Sequence, residues 1–171
     1  MFSDSLSEIE IPKSLQSTSS STSSNSANGP FRNCDNLKEV TFESGVTKIA
    51  SNLFANCSGL EKIVIPDTVE YQGKKYAVEL GKNAFSNCKQ LTKVVLPAHV
   101  TIIPQNCFDG CEILTEVSGF QRLVRIEDWG FGNCKKLAVD SLPGKLQQVG
   151  NYAFSGCSSL HIGHFPQSLS L

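Results

Sequence analysis

The sequence predicts an α/β repeat solenoid. In it, a right-handed stack of near-identical units gives one short parallel strand per unit to a concave face, and short helical or irregular turns to a convex face. Three observations predict this. Phe31, Phe54, Phe85, Phe108, Phe131 and Phe154 each open the string F-x-x-C-x-x-L. Successive Phe residues are 23, 31, 23, 23 and 23 positions apart. After each Leu comes a brief apolar alternation, as in Ile63 with Ile65 and Val94 with Leu96. A strand this short cannot bury its inward face alone, whereas stacked copies build one continuous core.

Each element of the unit follows in order. The Phe and the Leu that starts the next strand point inward. The residues between Phe and Cys (Ala55-Asn56, Ser86-Asn87, Asp109-Gly110, Gly132-Asn133, Ser155-Gly156) are turn formers, so a short helical turn is expected to end there. Strands are expected to centre on Val40, Ile63, Val94 and Val117, with a weaker one near Ser141. Beyond each strand stands an aliphatic residue (Val46, Val69, Val100, Leu123, Leu146), and then, in uninterrupted units, Ile49, Ile103, Ile126 or Val149. A small residue and Phe close the unit, as in Ala84-Phe85 and Ala153-Phe154. Residues 1–171 read as a single solenoid: a partial unit over 1–30, units opening at 31, 54, 85, 108 and 131, and a partial unit over 154–171.

The string I-P-x-x-V-x-x-I-x-x-x-A-F-x-x-C-x-x-L resembles the BspA-like leucine-rich repeat, and the resemblance runs from about residue 4 to 170. It implies a leucine-rich-repeat fold and a place among cell-surface proteins of host-associated bacteria. Family members are adhesins that bind matrix proteins or surface proteins without a known ligand. Fold and function are separate inferences, so the ligand stays open.

Two units carry insertions of equal length. Residues 70–79 include Tyr71-Gln72-Gly73 and Tyr76, two β-prone flanks around a glycine, and predict a β-hairpin with Gly73 at positive φ. Its Y-x-G-K-x-Y-x-V pattern resembles an insertion common in bacterial members of the family. Residues 17–29 are nearly all Ser, Thr, Asn and Gly; with no apolar anchor to offset the entropy of ordering, they are expected to form the least ordered part of the chain.

Composition excludes several functions. Fifteen Lys and Arg against sixteen Asp and Glu leave a net charge of −1, which argues against a nucleic-acid binder. No apolar run approaches the ~20 residues of a membrane span. Residues 1–12 lack a basic segment followed by an apolar one, so an extracellular or cell-surface location implies a leader absent from this chain.

No nucleophile motif, phosphate loop or metal-protease motif occurs, so no enzyme and no cofactor are expected. Six of the seven cysteines share one repeat position and read as a buried ladder of reduced thiols; Cys107 takes the small-residue position of Ala84 and Ala153. Cys157, His161 and His164 superficially resemble a metal set, but the register points Cys157 inward and His164 outward. His99 falls in an exposed turn. Asp140 falls where most units place Val or Ile, so it must reach water, find a partner or shift its strand.

Concave-face positions form two columns. One runs Glu8, Glu39, Lys62, Lys93, Glu116, Val139, Ile162; the other runs Glu10, Thr41, Val64, Val95, Ser118, Ser141, His164. Their middle, Lys62 and Lys93 beside Val64 and Val95, with Tyr71 and Tyr76 on the adjoining hairpin, is the candidate binding patch. A spacer should show a uniform face and a binder should break the repeat locally. The hairpin and the switch from Glu to Lys are such breaks, which favours an adhesin-like module binding a protein or glycan over a structural stalk segment. The chain opens and closes inside a unit, so it is expected to be a piece of a longer surface protein with weak end-to-end self-association.

Overall fold

The computed structural model describes residues 6–12, 29–43, 46–71 and 74–169, with backbone only for the hairpin residues between 68 and 76. The Ser-rich insertion from 17 to 28 lies outside the described residues, as does the turn holding Gly73.

The described chain holds twelve short strands: β1 (Glu8–Ile11), β2 (Glu39–Phe42), β3 (Lys48–Ile49), β4 (Lys62–Val64), β5 (Thr68–Tyr71), β6 (Lys74–Ala77), β7 (Glu79–Leu80), β8 (Lys93–Val95), β9 (Ile102–Ile103), β10 (Glu116–Ser118), β11 (Arg125–Ile126) and β12 (Gln148–Val149). The expected strands around Val40, Ile63, Val94 and Val117 are β2, β4, β8 and β10. They stack in parallel and in repeat register: Ile9 lies opposite Val40, and Ile63, Val94 and Val117 lie side by side.

The structure adds a second strand column, which corrects the expectation of one strand per unit. Ile49 pairs with Leu80, and Ile103, Ile126 and Val149 pair in a row. Ile49, Ile103, Ile126 and Val149 were legible as a recurring aliphatic position. A run of two residues is too short to display period-2 alternation, so its extended backbone was not legible. The hairpin forms from β5 and β6, antiparallel, with Val69 opposite Tyr76 and Tyr71 opposite Lys74. It starts and ends two residues earlier than expected, because Val78 is fully buried and Glu79–Leu80 joins the second column.

No helical turn forms between Phe and Cys. Residues two before Phe (Asn52, Asn83, Asn106) and two after it (Asn33, Asn56, Asn87, Gly110, Asn133, Gly156) have positive φ. A left-handed residue every fourth position stops a right-handed helix. The turn's amides bond to the next unit instead: Phe54 N–H donates to Ala84 O (3.0 Å), Asn56 to Ser86 (2.7 Å) and Phe85 to Cys107 (3.0 Å). Among the described residues the single helix is a 3₁₀ turn, Phe120–Arg122, entered through Gly119 at φ 97°.

The core is a set of ladders along the stack. Phe54, Phe85, Phe108 and Phe131 are fully buried, with ring centroids 5.5–5.7 Å apart and planes within 10°. The cysteine ladder has a chemical reason as well as a steric one. Each Phe carbonyl accepts the amide of the Cys in its own turn and also the thiol of the next unit's Cys. Cys88 reaches Phe54 O at 3.3 Å, Cys111 reaches Phe85 O at 3.2 Å and Cys134 reaches Phe108 O at 3.2 Å. The thiol thus gives each of these carbonyls a second donor beside the backbone amide. Outside this row Asn87 Nδ2 donates to Asn56 Oδ1 (3.0 Å), and Asn56 Nδ2 to Asn33 Oδ1 (2.9 Å).

The expected weak strand near Ser141 does not form. Asp140 is exposed, and the stretch 137–139 has no strand partner. A carboxylate at an inward position would lose its hydration, so the chain swings out there and returns to the core at Leu142. Trp129 and Tyr152 are a further local departure. Both hold φ 57° at the position where earlier units place Asn, a conformation costing a bulky residue about 1–3 kcal/mol.

Candidate recognition surface

The strand register brings the candidate patch together. Lys62 lies opposite Lys93 and Val64 opposite Val95, with Glu116 and Ser118 next in each row. Side chains at these positions alternate away from the buried Ile63, Val94 and Val117, which is why they share the outward face of the sheet.

Lys93 is committed: its Nζ lies 2.7 Å from Glu116 Oε1. Glu116 also accepts the Ser118 hydroxyl at 2.8 Å. The Lys93 hydrogen bond, with help from Ser118, holds the Glu116 carboxyl below its ordinary range. Lys62 is exposed and has no ion pair among the described residues. Val64 is exposed beside it at 48%. The patch therefore offers one uncommitted ammonium next to apolar surface.

The sequence did not reveal a groove at this place. The parallel ladder is continuous within β1–β2 and within β4–β8–β10, but β2 and β4 are not paired. At this break a groove of about 540 Å³ is lined by Glu39, Thr41, Phe42, Lys62, Val64 and Pro66. One rim carries the Lys38–Glu61 ion pair at 3.6 Å. The one sequence signal is Phe42. It takes the position of Ile65 and Leu96, both buried, yet its larger ring stays half-buried and lines the groove. Tyr71 and Tyr76 sit on the hairpin that follows β4, and their side chains lie outside the described residues.

The remaining chemistry-bearing residues do not converge. Cys57 is buried and its thiol pKa is pushed up to about 12, chiefly by burial. Burial also raises Cys88, Cys107, Cys111 and Cys134, the opposite of what a nucleophile needs. Cys157 is half-buried in the ladder, while His161 and His164 are exposed. His99 is exposed, with Nε2 2.9 Å from Val78 O. Among the described residues no three His, Cys, Asp or Glu side chains gather as metal ligands, and no helix is long and apolar enough to cross a membrane.

Comparison with known proteins supports the repeat fold. A model of the BspA type leucine rich repeat region matches residues 1–76 and 78–171 in six copies. A leucine-rich cell surface protein from Faecalibacterium prausnitzii is 26% identical over 77% of this chain, with a TM-score of 0.54. A leucine-rich repeat protein from Eubacterium ventriosum is 24% identical over 96% of it, with a TM-score of 0.63. The T. pallidum leucine-rich repeat protein is 18% identical over 98%, with a TM-score of 0.51 and 75% of its own length covered. The chain spans 40% of the F. prausnitzii protein and 45% of the E. ventriosum protein. Among curated proteins none matches the chain.

Proposed function

The chain belongs to the BspA-type leucine-rich repeat family, and from that premise we propose that it is a non-catalytic, adhesin-like recognition module of a cell-surface protein, binding a protein or glycan on its concave face. The observation that carries this reading is the groove between β2 and β4. There the repeat opens, with Lys62 uncommitted beside exposed Val64. A spacer segment has no need of such a break. The extracellular location rests on the family and on the cell surface protein of F. prausnitzii that the chain resembles.

The test is binding of the immobilised chain to purified matrix proteins and to mucin, repeated with Lys62→Glu and Val64→Ser. Both positions are exposed, so the variants should fold. Saturable binding that falls at least ~tenfold in the variants is the expected result. Binding that ignores both substitutions would move the site elsewhere. A chain that binds none of these probes would favour the stalk reading.

A further inference from the structure

One strand edge is left unanswered where the repeat calls for a partner. Glu116 N–H donates to Thr92 O, and Ser118 O accepts the Leu96 N–H, so Glu116 and Ser118 turn their backbone groups toward β8. By alternation Val117 turns its own N–H and C=O to the other side of β10. The next unit would meet them with a strand over 139–141, and that strand is missing. Among the described residues neither the N–H nor the C=O of Val117 has a partner, although its side chain is buried. β4 and β8 have no such gap on the corresponding side, since β4 pairs with β8 and β8 with β10. Backbone groups left open along a packed strand are what an extended polypeptide pairs with, and a saccharide has no row of N–H and C=O groups to match them.

The edge borders a groove of about 430 Å³, with Thr115, Val117 and Gly119 on one side and Val139, Asp140 and Ser141 on the other. Gln121 Nε2 donates to Ser141 O at 3.2 Å and ties the swung-out segment at one end. The side chains here select the occupant's sequence. The repeat position opposite Val117 belongs to Asp140, which lies exposed, so the slot beside Val117 suits an apolar side chain. The charges select a cation. Glu116 and Asp140 both line the groove and are exposed, and Asp140 has no hydrogen bond or ion pair among the described residues. Arg122, the cation in the lining, is held by Leu96 O at 2.9 Å. The complement is a basic residue next to an apolar one. The chain shows how that pattern sits on β10, because in β8 Lys93 meets Glu116 at 2.7 Å and Val94 lies opposite Val117.

We propose that the free edge of β10 is a strand-addition site that takes an extended peptide carrying a basic residue beside an apolar one. It does not involve the groove between β2 and β4. The probe is a fluorescein-labelled synthetic peptide of the chain's own residues Leu91 to Pro97, which supplies the β8 pattern to the open edge. The expected result is a saturable rise in anisotropy with the folded chain, together with slowed amide exchange at Val117. The same peptide N-methylated at its Lys and both Val residues keeps the side chains and loses the strand's amide donors, so it should bind at least ~tenfold more weakly. Asp140→Val lets the chain's own strand close the edge and should weaken the probe by a similar factor. Lys62→Glu should leave the titration unchanged, which separates this edge from the candidate patch. No saturable binding, equal binding by the N-methylated peptide, or unchanged exchange at Val117 would overturn the proposal, as would full binding by a folded Asp140→Val chain. The N-methylated comparison uses the unaltered protein, so it decides the matter even if Asp140→Val does not fold.

Discussion

The units opening at Phe85 and at Phe131 differ in one respect that teaches how the stack is held. In the first, both strand columns form, as β8 and β9. In the second, the first-column strand is missing around Asp140, and only β12 of the second column remains. Phe131, Cys134 and Leu137 are nevertheless fully buried, and Phe131 N–H still donates to Ala153 O at 2.9 Å. The turn from Phe to Leu therefore holds one unit to the next, and the first-column strand can be lost without undoing the stack. The face we propose for binding is the part with most freedom to vary.

The largest way to break that comparison is pH. Burial raises the ladder thiols above their ordinary 9.0, to about 12 at Cys57 and about 11 at Cys157. A raised folded-state pKa means stability is fully present below pH ~9 and is lost as pH climbs toward the folded value, by up to about 1.4 kcal/mol per pH unit for each thiol. Circular dichroism should show a steep alkaline unfolding between pH ~9 and ~12. A single transition ties both regions to one ladder. Cys157, half-buried, should be alkylated ahead of the buried thiols, and the buried thiols should react together if the stack unfolds as one.

Phe108→Ala should cost about 3–5 kcal/mol in urea unfolding, because it empties the middle of the ring stack. A smaller loss would mean the stack is not what holds the units together. Cys111→Ala should cost about 1–2 kcal/mol, removing the second bond to Phe85 O and some packing, and Cys157→Ala less, since that thiol is half-buried. Equal costs would deny the difference between interior and terminal units. Asp140→Val should have the smallest effect, a gain of up to about 1 kcal/mol as the missing strand is restored beside β10. Hydrogen exchange at Val117 and Ser118 should slow accordingly, and unchanged exchange would show that Asp140 is not the cause of the missing strand.

The period made the core legible. Phe, Cys and Leu recur in register, and a position that must be buried in one unit must be buried in the next. The same logic placed β2, β4, β8 and β10, and it put the conflict at Asp140, where the chain resolved it by giving up the strand. The second column was not legible, since Ile102–Ile103 and its partners are two residues long. Nor was the helix-free turn, although Asn at fixed distances before and after Phe is a signal of positive φ that could have been read. The middle of the candidate patch, Lys62, Val64, Lys93 and Val95, followed from strand register alone. The groove beside it did not, because it arises from a break between β2 and β4, and a regular sequence predicts pairing there.

The turn amides that bond Phe54 to Ala84 and Phe85 to Cys107 run from unit to unit along the stack. Tension applied to the two ends of the chain therefore loads these bonds in peeling geometry, a few at a time, instead of shearing them all together. Such a stack should yield unit by unit at low force, each 23-residue unit paying out about 8 nm of chain and the 31-residue unit about 10–11 nm. Single-molecule extension should show that spacing, with the hairpin-bearing unit giving a longer step than the 23-residue units.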